Sequence, residues 1–121
     1  VCQVYASACP VAYAKNTKST DWKPFASLVL NSAYESTLAA SALLALQRNE
    51  RVSVYLTSLG GGAFGNRRQW ISSAVLRALS QLSDFPLDVY MVNYSQTVDQ
   101  FNKDLVRDWK KIAKKKTNRK K

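Results

Sequence analysis

The sequence contains no histidine, so the commonest general base and metal ligand near neutral pH is missing. Cysteine is scarce: Cys2 and Cys9 are the only two. Both fall in one strand-like run, too far apart along an extended segment to bridge each other. They are expected as free thiols acting as small buried hydrophobes, and a set of two cysteines without histidine offers no metal site. Free thiols favour an intracellular, reducing compartment without distinguishing cytoplasm, nucleus or organelle matrix. Long apolar runs are absent too. The longest, around Leu38 to Leu46, is broken by Ser41 and falls short of the roughly 20 residues that span a bilayer, so no membrane partner is expected. Position 1 is valine and the chain opens directly in an apolar segment, which suggests a processed or incomplete chain.

What is present suffices for one core. At 121 residues and 46% apolar content, about two thirds of the unfolded surface can be buried without disulfide or metal staples. The net charge of +10 is uneven. Residues 110–121 hold eight of the eighteen basic residues and no acid, and residues 1–109 balance ten basic against eight acidic residues at +2. Basicity therefore belongs to a C-terminal tail rather than to the domain, and the chain divides into a domain over 1–109 and a basic tail over 110–121.

Residues 1–10 combine β-branched and aromatic side chains and close on Pro10, which predicts a first strand. Lys15 to Lys23 is a polar connection. Pro24 to about Leu46 predicts a helix whose apolar face runs through Phe25, Leu28, Val29, Ala33, Leu38, Ala42 and Leu46, with Pro24 suited to the first turn. Val52 to Thr57 alternates as a second strand. Asn66 is placed to cap a helix reaching about Leu82, with Trp70, Ile71, Ala74, Val75, Ala78, Leu79 and Leu82 on one stripe. A turn at Ser83 to Pro86 leads to a third strand over Leu87 to Tyr94. A last helix from about Thr97 is set by Val98, Phe101, Leu105, Trp109 and Ile112. The order βαβαβα predicts an α/β domain with a mostly parallel sheet and helices on both faces. Three strands make a thin sheet, so a protein partner or further upstream sequence is expected to supply more.

The chemical motif is Gly60-Gly61-Gly62-Ala63-Phe64-Gly65, between a strand and a helix. Glycines there let the backbone turn tightly, approach a ligand without Cβ obstruction and direct N–H groups at an anion beside a helix N-terminus. Arg67 and Arg68 oppose the helix dipole at that position, which an anion would offset. A tight strand-to-helix turn alone would also explain the glycines. The run lacks the Gly-Lys-Ser/Thr ending of a P-loop and matches the dinucleotide fingerprint poorly.

At these residues the chain resembles the macro domains, which bind ADP-ribose and related nucleotides. Val54 to Gly65 is similar to that family's strand and second phosphate loop, with Gly62-Ala63-Phe64-Gly65 standing for its Gly-aliphatic-aromatic-Gly signature. Tyr34, Thr37, Leu38 and Ala40 resemble the preceding helix, Val4 to Tyr13 the strand before it, and Val89 to Leu105 the last strand and helix. The resemblance implies a three-layer macro-like fold, incomplete at its N-terminus. It implies ligand contacts from Gly60, Gly61, Gly62, Ala63, Phe64, Gly65 and Asn66, with Phe64 bordering a ribose and Asn93 and Tyr94 near an adenine. The family's acidic adenine-reading residue and Asn-rich first loop have no counterpart in this sequence.

The expected function is therefore nucleotide or ADP-ribose binding without catalysis or cofactor, since no general base is identifiable beside the loop. The alternative is a structural or RNA-associated component of a ribonucleoprotein such as a ribosome. There Lys110, Lys111, Lys114, Lys115, Lys116, Arg119, Lys120 and Lys121 would contact backbone phosphates. The same tail is equally compatible with a localisation signal or a solvated extension.

Overall fold

A computed structural model of the chain describes residues 1–120. It is a mixed helix and strand domain with element order α1 (Lys23–Arg48), β1 (Val52–Leu56), α2 (Arg68–Leu82), β2 (Leu87–Met91) and α3 (Gln100–Arg119). Two short 3-10 turns, Val11–Tyr13 and Ser19–Trp22, precede α1. The two strands pair in parallel, with Val54 opposite Val89 and Tyr55 opposite Tyr90.

The first expected strand is not formed. Residues 1–7 are exposed and pair with no strand. They share a groove of about 1160 Å3 with β1 and form no ladder with it. What anchors this segment is its end: Ala8, Cys9 and Val11 are buried, and the Ala12 N–H donates to the Phe64 carbonyl at 2.9 Å. β-Branched composition is a weak prior, and packing on the glycine loop overrides it here. Cys9 is the buried thiol expected, whereas Cys2 is exposed; both are free.

α1 starts with Pro24 in its first turn and stops at Asn49, whose left-handed φ of 52° lets its N–H reach the Ala45 and Leu46 carbonyls. Its buried stripe is Ala26, Leu30, Tyr34, Leu38, Ala42 and Ala45. Only Leu38 and Ala42 of the expected face belong to it, and Phe25, Leu28 and Leu46 are exposed. A helix rich in Ala and Leu all round does not select a face by periodicity. The selection comes from α2, whose Ala74 and Ala78 are fully buried and let the two helices approach closely. α2 buries Trp70, Ile71, Ala74, Val75 and Ala78, with Leu79 and Leu82 partly covered, as its stripe predicts. Leu30, Leu38, Ile71 and Val75 are the largest fully buried side chains, each worth about 1.5–3 kcal/mol of burial.

β1 turns Val54 and Leu56 into this core. The opposite face of the sheet carries Tyr55 stacked on Tyr90, ring centroids 5.3 Å apart, and both are exposed. Helices therefore do not cover both faces among the described residues, because the sheet has two strands and its second face stays open. β2 ends at Met91 rather than Tyr94. α3 begins at Gln100, with the Asp99 carboxylate accepting from the Phe101 N–H, so Val98 precedes the helix and is exposed. The basic segment continues α3 as far as Arg119 without a break at residue 109.

Arg51 and Asp88 tie the start of β1 to β2 at 2.7 Å, and the guanidinium holds the Asp88 carboxyl below the ordinary carboxylate range. Arg77 and Glu35 pair between α2 and α1. A more consequential tie is Tyr34 of α1. Its hydroxyl donates to the Thr57 carbonyl at 2.7 Å and accepts from the Leu59 N–H at 2.9 Å, fixing the chain where it leaves β1. Burial pushes this phenol above 10.0, against the opposing effect of the Leu59 hydrogen bond. The folded state thus favours the neutral form. That contribution is complete below the unfolded value and is lost as pH rises through the raised folded value. Tyr34→Phe should cost about 1 kcal/mol or more by removing two hydrogen bonds to part-buried backbone groups. It should also flatten the alkaline fall in stability, as denaturant midpoints measured below and above pH 10.0 would show.

Candidate functional site

All four glycines of the chain lie in the loop between β1 and α2. Two of them are structural. Gly60 has φ +72° and Gly65 φ +68°; a Cβ on Gly60 would lie 2.3 Å from the Ala8 Cβ, and one on Gly65 would lie 2.8 Å from the Ala12 Cβ. The loop is closed on itself by Gly61 N–H to Ser58 O at 3.2 Å, Gly65 N–H to Gly62 O at 3.0 Å and Asn66 N–H to Gly60 O at 2.9 Å. Gly62 is different: a Cβ there meets nothing within 4 Å. Among the described residues, the N–H groups of Gly62 and Ala63 meet no protein acceptor.

Asn66 does not cap α2. It is buried, and its Nδ2 donates to the Cys9 carbonyl at 2.8 Å and the Gly60 carbonyl at 3.2 Å, stitching the N-terminal segment to the loop. The N-cap is Arg67, which supplies no side-chain cap, and no acid occupies the first turn. This leaves the positive end of the α2 dipole uncompensated from within its own first turn. The Arg67 guanidinium lies over Trp70 and bonds Ser19, away from the loop tip. Phe64 packs edge-on against Tyr13, centroids 5.7 Å apart.

A cleft of about 530 Å3 opens at the C-terminal ends of both strands. Of the residues expected to bind ligand, Gly61, Gly62, Asn93 and Tyr94 line it; Gly60, Ala63, Phe64, Gly65 and Asn66 do not. Asn93 shapes the wall rather than offering free groups. Its Nδ2 donates to the Ser95 and Thr97 carbonyls and its Oδ1 accepts from the Asp99 N–H at 3.0 Å. Tyr94 is 88% exposed at the rim.

Arg68, read from the sequence as a cation that an anion would offset, also lines the cleft, as do Asp99 and Asn102, which the sequence reading did not single out. Arg68 pairs with Asp99 at 3.3 Å and lies over the Phe101 ring, so a guanidinium crosses from α2 to the loop before α3. Asp99 is committed both to that pair and to capping α3, which makes it a poor general base. Asn102 is 7% exposed, and its Oδ1 has no hydrogen-bond partner. A buried acceptor left unmatched costs about 1–3 kcal/mol, and a hydroxyl or amine donor in the cleft would satisfy it. Asp99 was legible as a cap residue ahead of an apolar stripe, and Asn102 as a polar residue beside Phe101 and Leu105.

On α3 and at its C-cap, Lys110, Lys111, Lys114, Lys115, Arg119 and Lys120 are exposed, whereas Lys116 is half-buried; Lys121 lies outside the described residues. Lys111 reaches Asp108 at 3.7 Å and Lys120 reaches Asp84 at 3.1 Å. No cluster of three potential metal ligands occurs among the described residues, and no described helix is long and apolar enough to cross a membrane. No protein family, curated protein or solved structure matches the chain.

Proposed function

We propose that the chain is a macro-like module that binds ADP-ribose or a related nucleotide without transforming it. One observation carries the reading. The cleft lies at the C-terminal ends of two parallel strands, where α/β sheets hold ligands, and joins the open Gly62 backbone, the Arg68 guanidinium and the unpartnered Asn102 acceptor in one space. A phosphate would sit on the Gly62 N–H beside the α2 N-terminus, near Arg68. Asn102 would accept from a sugar hydroxyl or base amine. The volume of about 530 Å3 falls within the usual range for small ligands, about 300–1,000 Å3. Calorimetric titration with ADP-ribose, ADP and inorganic phosphate tests the reading: saturable binding of the nucleotides is expected, and its absence for all three removes it. The open edge of β1 and the exposed Tyr55–Tyr90 face support completion of the sheet by further strands, from a partner or from additional sequence.

The RNA-associated reading draws on a separate observation. Lys110 and Lys114, like Lys111 and Lys115, stand four residues apart on α3, a like-charge spacing that destabilises an isolated helix and that a polyanion would relieve. Removing residues 110–121 would cut α3 through its middle, so neutralisation is the cleaner test. Changing these four lysines to glutamine should weaken binding to single-stranded RNA. The salt slope should fall by roughly 0.7 for each phosphate that is no longer neutralised. An unchanged slope would discard α3 as the RNA surface.

A further inference from the structure

A second cleft, about 290 Å3, opens between α2, β2 and α3 and shares no lining residue with the glycine-loop cleft. Its wall is apolar, with Leu79, Leu82, Phe85, Leu87, Met91 and Trp109 prominent, and Ser83 contributes its one hydroxyl. Lys116 stands at that hydroxyl. Its Nζ donates to Ser83 Oγ at 2.8 Å and to the Ser80 carbonyl. Unlike Lys111 and Lys120, it pairs with no carboxylate among the described residues. Asp84, the residue after Ser83, is hydrogen-bonded by Lys120 and feels the charge of Lys116 only at longer range. A half-buried ammonium that hydrogen-bonds only neutral acceptors retains a strong preference for an anion, and here it reaches, through the Ser83 hydroxyl, a space that favours hydrocarbon.

We propose that this cleft binds a medium-chain aliphatic carboxylate, with the hydrocarbon among Leu79, Phe85, Leu87 and Trp109 and the carboxylate on Lys116 beside Ser83. The size of the cleft, at the lower limit for small-molecule sites, suits a single short chain. Charge complementarity chooses the acid over an uncharged lipid. The other lysines of α3 face solvent and offer charge without an apolar wall.

Met91 is the only methionine and lines the cleft, so a methyl-labelled sample carries a single reporter resonance. Titration with hexanoate, octanoate and 1-octanol should move that resonance saturably. Each added methylene should tighten binding about fourfold, and octanoate should bind about tenfold more tightly than octanol. Lys116→Gln should bring octanoate down to the level of octanol and leave octanol unchanged, while Lys115→Gln changes neither. Lys116→Leu serves the same purpose if the glutamine variant folds poorly, and the acid-to-alcohol ratio in the unmodified protein needs no variant. A Met91 resonance unmoved by octanoate, equal affinity for acid and alcohol, or equal losses from Lys115→Gln and Lys116→Gln would each overturn the proposal.

Discussion

Gly62→Val should abolish ADP-ribose binding while leaving the fold intact, a separation that few glycine substitutions can provide. The fold should tolerate it because a Cβ at Gly62 meets nothing within 4 Å and the residue does not have a positive φ. Surface changes of this kind stay within about 0.5 kcal/mol, and a branched residue also narrows the unfolded ensemble. Binding should not tolerate it, because Gly62 lines the cleft beside Arg68 and its N–H has no protein acceptor. A branched side chain there holds a phosphate off that N–H and off the Arg68 guanidinium. Losing two hydrogen bonds to a charged group, at about 1.5–3 kcal/mol each, corresponds to a drop in affinity of about 100-fold or more. Calorimetry with ADP-ribose and a thermal melt on the same sample provide the check. Unchanged affinity would place the phosphate elsewhere, and a melting transition lowered along with affinity would mean that the loop tip is structural after all.

The contrast between Gly62 and its neighbours marks how far the sequence could be read. The glycine run was legible as a strand-to-helix turn at the end of a parallel strand, and the pairing of Val52–Leu56 with Leu87–Met91 follows from the alternation around α2. α2 itself was legible because its polar residues, Ser73, Arg77 and Gln81, are exposed and leave the stripe unambiguous. α1 offered no such contrast. Its face depends on which alanines meet α2, a tertiary fact. The N-terminal segment misled for a related reason: local composition favours a strand, but Ala8 and Cys9 are drawn onto the glycine loop through Gly60 and Asn66, partners about fifty residues away in sequence. In the cleft, the residues read from the loop motif divided into framework and lining. Phe64, Gly65 and Asn66 hold the loop; Gly61 and Gly62 face the space. Arg68 comes from the start of α2 and Asp99 and Asn102 from the start of α3, and only the fold brings them together with the loop.

Gly60→Ala is expected to give the largest loss of stability of any single methyl added to this chain. Two independent costs coincide at this position. The backbone sits at φ +72°, in the left-handed region that costs an L-residue roughly 1–2 kcal/mol. The new Cβ would also lie 2.3 Å from the Ala8 Cβ and 2.6 Å from Asn66 Nδ2, and relieving that overlap costs about 1–3 kcal/mol. The sum is about 3 kcal/mol, a large part of the stability of a small domain. The movement has a direction. Ala8 and Asn66 would be pushed off the loop, breaking the Asn66 Nδ2 bond to the Cys9 carbonyl and releasing the N-terminal segment from its buried anchor. Denaturant unfolding of Gly60→Ala, Ala8→Gly and the double variant separates the two costs. Removing the Ala8 methyl should restore the Ala8 part of the overlap component but neither the Asn66 part nor the backbone component, giving a coupling energy of about 1 kcal/mol. A loss below about 0.5 kcal/mol for Gly60→Ala alone, or no coupling to Ala8, would mean that the N-terminal segment does not pack on the glycine loop as described.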